Sequence, residues 1–199
     1  MQLVMSPNSP YVRKVRLLIR EAGREAEVEE IAVATNAYDI HPEVAAANPL
    51  GRIPALLCPE GPALYDSRVI TRYLDAKWGL GLYPEPRLWE ILTLEATAEG
   101  ILDSAVTMAY EVRMKDVPSE KWLDAQWHKI AGALDAIESR WMSHLAGPLN
   151  MGQIAVASAL GYLDLRHDAR TWREGRPELA AWAARFAERP AMQATLPPG

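Results

Sequence analysis

Apolar positions change their period part-way along this chain. Leu3, Val4 and Met5 form a short apolar run that predicts a strand over Gln2 to Met5. From Pro10 onward Val12, Val15, Leu18, Ile19 and Ala22 return at three- and four-residue steps, which places them on one helix face, and Gly23 supplies a stop. The stretch "AEVEEIAV" reads as a second strand, and "PALL" and "ALY" read as two more, separated by the turn cluster "CPEGP". Ser67 then opens a helix carrying Val69, Ile70, Tyr73 and Leu74. Strand, helix, strand, loop, strand, strand, helix is the order of a small α/β domain, assigned to residues 1–78.

Beyond "WGLGLYPEP", read as a linker over residues 79–86, no strand-like alternation recurs. Leu123, Trp127, Ile130, Leu134, Ile137 and Trp141 predict one long helix from Pro118 to about Leu145 with a continuous apolar stripe. Arg87 to Met114, Met151 to Arg166 and Pro177 to Glu188 read as further helices, so residues 87–199 form an all-helical domain. All seven tryptophans lie at or beyond Trp78, which puts the larger core in this half.

Composition narrows the function. The 199 residues are 49% hydrophobic, enough for a sizeable core, and the net charge of −5 disfavours phosphate backbones and anionic lipid as partners. A single cysteine, Cys58, excludes a disulfide framework and a cysteine-rich metal site, and is read as a small buried residue. No leader pattern and no apolar stretch of spanning length stands in the sequence, so the expectation is a soluble cytoplasmic protein without a membrane partner. There is no G-x-S-x-G and no H-E-x-x-H, and His41, His128, His144 and His167 are scattered singly, so neither a hydrolase nor a metal site is expected.

Three stretches of the first half carry candidate chemistry, and each has an ordinary structural reading beside it. In "NSPYVRKVR" the Ser9 oxygen is suited to cap the helix and Pro10 to its first position. The basic run Arg13, Lys14, Arg16 and Arg20 reads as a solvated helix face, with a dimer salt-bridge role as the alternative. In "NPLGRIPAL" Pro54 stands at the start of a strand, an ordinary place for an edge-strand proline. In "YDSRVI" Asp66 and Ser67 stand between strand and helix, where capping is the plain reading. The functional reading is that the helix start binds a carboxylate while Asp66 accepts from an ammonium, so that the pair grips an α-amino acid group.

With "SPYVRKVRLLI", "NPLGRIPAL" and "YDSRVITRYLD" in this order, the chain resembles the glutathione S-transferase family over essentially its whole length. The resemblance implies a thioredoxin-like α/β N-terminal domain followed by an all-α domain. It implies glutathione as co-substrate, with the Ile53 backbone on the cysteinyl part, a cis Pro54, Asp66 and Ser67 on the γ-glutamyl end, and Arg52 at the glycyl carboxylate. A cytoplasmic homodimer acting in detoxification is implied, with a small electrophile bound in the cleft between the domains. Tyr11, Met108 and Tyr110 are the candidates there, each equally readable as core, and Asp103 is a candidate partner for the γ-glutamyl ammonium across the dimer interface. The stretch "NMGQIAVASALGYLDL" resembles the capped helix of the family, with Gln153 in place of the usual Asp; Asn150 three residues earlier keeps the spacing of a capping box, so the helix is expected to persist.

Ser9-Pro10-Tyr11-Val12 stands where the related glutaredoxins carry Cys-Pro-Tyr-Cys, and without those cysteines thiol–disulfide exchange through a protein thiolate is not expected. A serine there suits another task. An ordinary thiol has a pKa near 8.5, and each unit by which the anion is stabilised takes about 1.4 kcal/mol. A hydroxyl aimed at the sulfur beside a helix N-terminus supplies an effect of that order. Ser9 is therefore the catalytic candidate, with Ser6 as its alternative. Two readings result: a serine-type glutathione transferase, including isomerase, dehalogenase or peroxidase variants, and a non-catalytic binding or protein-interaction module on the same fold.

Overall fold

Strand β1 (Gln2–Met5) sits in the middle of a three-stranded sheet of order β2-β1-β3 in the computed structural model, which describes residues 1–198. Helix α1 (Pro10–Glu21) carries the chain from β1 to β2 (Glu29–Ala32), which runs parallel to it with Met5 against Ala32. β3 (Ala55–Leu57) runs antiparallel on the other side, with Val4 against Ala55, and α3 (Ser67–Trp78) follows it. Val4, Val33, Val44, Ala47 and Ala55 form a core cluster here, so the short apolar runs of the sequence meet in one place. This is the thioredoxin-like arrangement that the resemblance implies.

Four local expectations change. The second strand starts later, because Glu25–Glu27 form a 3₁₀ turn first. The loop after β2 contains α2 (Pro42–Ala47), where His41 Nδ1 accepts from the Glu43 N–H at 3.3 Å and only Val44 and Ala47 are buried, too few apolar residues to show a period. "ALY" is no strand: Leu64 alone bridges Leu56, since Gly61 and Pro62 precede it and the α3 cap at Asp66 follows. Nor is the basic run solvated. Arg16 and Arg20 both bond Glu30 of β2 at 2.9 Å, Arg13 is buried, and Lys14 is 0% exposed, because α3 and the C-terminal segment pack against α1.

That segment alters the domain boundary. The residues from Pro190 onward group with Met1–Tyr83 in one compact unit, and Pro84–Arg189 form the second. Helix α9 (Pro190–Ala194) lies against α1, where Arg13 Nη2 donates to the Met192 carbonyl at 3.2 Å and Arg13 Nε to Thr195 Oγ1 at 3.4 Å. Residues 87–199 are thus not one domain to the end, because the tail finds its hydrogen bonds on α1.

The second unit is all-helical: α4 (Leu88–Met114), α5 (Glu120–Arg140), α6 (Met142–Leu145), α7 (Met151–Arg166) and α8 (Pro177–Ala187). The single helix expected from Pro118 to Leu145 is two, parted at Trp141, where φ is −114° and ψ is 0°. The apolar stripe passes through the break, so periodicity could not show it. α4 and α7 pack closely at Gly152, where an added Cβ would stand 3.0 Å from Leu94 Cδ2. Leu94, Ile101, Ile130, Leu134 and Ile154 are fully or almost fully buried in this core. Among the described residues no helix is long and apolar enough to cross a membrane.

Candidate functional site

Ser9 caps α1 in extended backbone, φ −80° and ψ 124°, with Oγ accepting from the Val12 N–H at 3.4 Å. A hydroxyl that accepts this bond still has its own hydrogen to give. Among the described residues that hydrogen has no acceptor, so capping leaves the donor free. The Ser9 N–H bonds the Ser6 carbonyl at 3.1 Å, which turns the chain from β1 into the helix.

Sheet register gathers the other candidates at the same end. Continuing the antiparallel pairing of Val4 with Ala55 by two places sets Ser6 opposite Ile53. Continuing the Leu56–Leu64 bridge by two sets Pro54 opposite Asp66. The Ile53–Pro54 peptide bond is cis, as is Tyr65–Asp66. The backbone N–H and C=O of half-buried Ile53 have no hydrogen-bond partner among the described residues. Asn48, which sequence reasoning did not single out, builds the approach: its Nδ2 donates to the Arg52 carbonyl at 2.8 Å and its Oδ1 accepts from the Leu50 N–H at 3.0 Å. Gly51 has φ of +64°, a conformation that favours glycine. Arg52 is exposed, and its guanidinium has no ion-pair partner among the described residues.

Asp66 caps α3 through Oδ1, which accepts from the Arg68 N–H at 3.0 Å, while Oδ2 pairs with Arg68 Nη2 at 2.8 Å. Partial burial pushes its carboxyl up, but the Arg68 hydrogen bonds and charge, with the charge of Lys14, outweigh this and hold it below the ordinary value. The side chain is 52% exposed, so the carboxylate stays open to a further donor. Ser67 beside it is 1% exposed. Arg68 and Lys14 were both missed; Arg68 stands two places from Asp66, a signal available in the sequence, whereas Lys14 approaches only through the fold.

The remaining candidates are spread over both units. Tyr11 is half-buried in the first turn of α1; on α4, Met108 is 2% exposed, Tyr110 half-buried and Asp103 exposed. Cys58 is half-buried rather than buried, because it sits just past the end of β3. His167 Nε2 lies 2.8 Å from the Ala105 carbonyl, and burial lowers its pKa.

The capping box at α7 closes on one side only. Asn150 Oδ1 accepts from the Gln153 N–H at 3.2 Å, but the Gln153 side chain turns instead to the preceding loop. There Nε2 lies 3.0 Å from the Gly147 carbonyl, 3.1 Å from that of His144, 3.2 Å from Leu145 and 3.3 Å from Pro148. An aspartate could not donate to these oxygens, which gives the replacement a physical reason.

Comparison with known proteins agrees with this architecture. The profile of the glutathione S-transferase N-terminal domain matches residues 8–77 and that of the C-terminal domain residues 120–185. The chain is 32% identical to the uncharacterized GST-like protein YibF of Escherichia coli (strain K12), covering 100% of this chain and 99% of YibF. A glutathione transferase family member from Pseudomonas fluorescens Pf-5, solved with bound glutathione, superposes with a TM-score of 0.96 at 42% identity, over 100% of this chain and 99% of that one. A glutathione S-transferase from Methylobacillus flagellatus KT, solved with GSH bound, gives 0.88 at 32% identity over 99% of each chain. On sequence and fold alike, this chain belongs to the glutathione S-transferase family.

Proposed function

We propose that the protein is a serine-type glutathione transferase that binds glutathione at the end of the sheet where Ser9, Ile53 and Asp66 converge. Two relatives of at least 32% identity hold glutathione in their structures, which supports the ligand. The observation that carries the reading is the pair of unspent groups at that end: the Ser9 hydroxyl hydrogen and the Ile53 backbone N–H and C=O. Ile53 pairs with the cysteinyl backbone and so brings the thiol to Ser9. Asp66 accepts from the γ-glutamyl ammonium, Ser67 and the first turn of α3 face its carboxylate, and Arg52 meets the glycyl carboxylate.

In the reaction the thiol gives its proton to solvent, Ser9 donates to the thiolate, and sulfur forms a bond to the electrophile as the leaving group departs with its electron pair. Tyr11, Met108 and Tyr110 are the candidate contacts for that electrophile. The protein acts in the cytoplasm as a homodimer in this reading, with a role in detoxification.

The test is a pH titration of the thiolate absorbance of glutathione bound at saturation, on wild type and Ser9→Ala. A bound-thiol pKa lowered by about one unit or more in wild type, and restored towards that of free glutathione in Ser9→Ala, is expected. A pKa unshifted in wild type would leave Ser9 as a helix cap and favour a glutathione-binding module without turnover. The same shift in both proteins would pass the role to Ser6.

A further inference from the structure

Tyr162, towards the end of α7, is 8% exposed, and its hydroxyl hydrogen has no acceptor among the described residues. Arg166, one turn on, reaches the hydroxyl oxygen as a donor, and the charge of Arg113 and the phenol of Tyr110, both on α4, act on the same oxygen. Burial pushes the Tyr162 hydroxyl above its ordinary value and outweighs the two arginines, so it keeps its proton and can give it to an acceptor.

Tyr110 and Arg113 are one turn apart on α4, as Tyr162 and Arg166 are on α7, so each pair shares a helix face. The two helices are fixed against each other here. His167 Nε2 lies 2.8 Å from the Ala105 carbonyl, and the His167 ring stands edge-on to that of Tyr162 with centres 6.2 Å apart. All four residues of the cluster lie within the helical unit.

An arginine in the last turn of a helix is ordinary, because it faces unpaired carbonyls. That does not explain why two of them act on one buried phenol. Neither has an ion pair among the described residues, and Glu111 and Asp164, two places before them, are taken by Lys115 and Arg173. Two guanidinium groups without counter-ions, beside two phenols with hydrogens to give, complement a carboxylate.

We propose that the electrophile carries a carboxylate, which Arg113 and Arg166 hold between the Tyr110 and Tyr162 hydroxyls. The carboxylate site stands on this cluster, and calling its ligand the electrophile rests on the transferase reading, in which Tyr110 is a candidate contact.

The pair 4-chloro-3-nitrobenzoate and its uncharged amide, 4-chloro-3-nitrobenzamide, tests both parts. With glutathione, the sulfur bonds to the ring carbon that bears chlorine and chloride leaves with its electron pair, while the carboxylate takes no part. Without glutathione, calorimetric titration reads binding alone. There the acid should bind about tenfold more tightly than the amide, and Arg113→Gln and Arg166→Gln, both at exposed positions, should each remove most of that preference. Arg140→Gln, an exposed arginine in the last turn of α5, should keep it. In turnover, with each rate divided by the uncatalysed one, the acid should show a KM about tenfold lower than the amide, lost in the Arg113 and Arg166 variants. Equal binding of acid and amide, or a preference that survives both substitutions, would overturn the carboxylate site. Turnover of both compounds without preference would overturn it and leave the transferase reading standing. Selective binding of the acid with turnover of neither compound would overturn its assignment as the electrophile together with the transferase reading.

Discussion

Replacing Gln153 by Glu keeps the shape of the side chain but leaves it one hydrogen to donate while the carboxyl is protonated and none once it is ionised. The residue is 3% exposed, so water cannot readily take over. Its amide has two hydrogens for four carbonyl oxygens, which therefore share them. Three of those oxygens keep another donor: His144 from the Gly147 N–H, Leu145 from Trp182 Nε1, and Pro148 from Asn150 Nδ2. The Gly147 carbonyl has no other donor among the described residues, and leaving one buried acceptor unpaired costs about 1–3 kcal/mol. An ionised Glu would also face four carbonyl oxygens, so it holds a proton in the folded state and its pKa rises above the unfolded value near 4.3. Each unit of that rise adds about 1.4 kcal/mol at pH above both values, on top of the about 1–3 kcal/mol of the unpaired acceptor. At roughly 2–4 °C per kcal/mol the melting temperature should fall by about 10 °C at pH 8. The sign follows from linkage: the penalty is smallest below the unfolded pKa and grows as pH rises through the folded one. Thermal melts followed by circular dichroism at pH 5 and pH 8 should therefore show a larger deficit at pH 8. Gln153→Met, which lacks both donor and charge, should lose about 1–3 kcal/mol equally at the two pH values. Equal deficits for the Glu and Met variants at both pH values, or a Glu variant as stable as wild type, would refute the account.

Other expectations are more direct. Ser9→Ala should cost about 1 kcal/mol of stability through the lost cap, measured by urea unfolding, and a much larger share of turnover than this alone would explain. Glu30 is pushed up by burial but held below its ordinary value by the hydrogen bonds and charges of Arg16 and Arg20. Its contribution is thus present above the usual carboxylate pKa and lost as pH falls through the folded one. The stability gap between wild type and Glu30→Gln should close in acid, and a gap constant with pH would count against the pairing. Gly152→Ala puts a Cβ 3.0 Å from Leu94 Cδ2 and 3.1 Å from Asn150 Oδ1, and should cost about 1–3 kcal/mol in a thermal melt; a neutral effect would mean that α4 and α7 have room to part. Arg13→Ala should speed hydrogen exchange at Thr195 more than in the sheet, since it removes the bonds that hold the tail on α1.

Local patterns were legible because they depend on neighbours in sequence. A one-faced helix repeats every three or four residues, so α1, α3, α4, α7 and α8 could be placed from spacing. The caps at Ser9, Asp66 and Asn150 span only two or three residues, so they could be placed too. The family resemblance carried the α/β and all-helical architecture and grouped the candidate residues of the first unit. Where a polar side chain goes is a different question, because its partner can stand anywhere in the chain. Arg13 is held by residues 179 and 182 places away, and Arg16 by one 14 places away, so a run of charges that looked solvated is buried. Gln153 has the spacing of a reciprocal cap, yet the loop before α7 presents carbonyls that take its amide instead. The sequence determined which segments are helix or strand and which groups can donate or accept. Only the tertiary structure decided which of those groups meet, because a buried donor and acceptor pair through space whatever the length of chain between them.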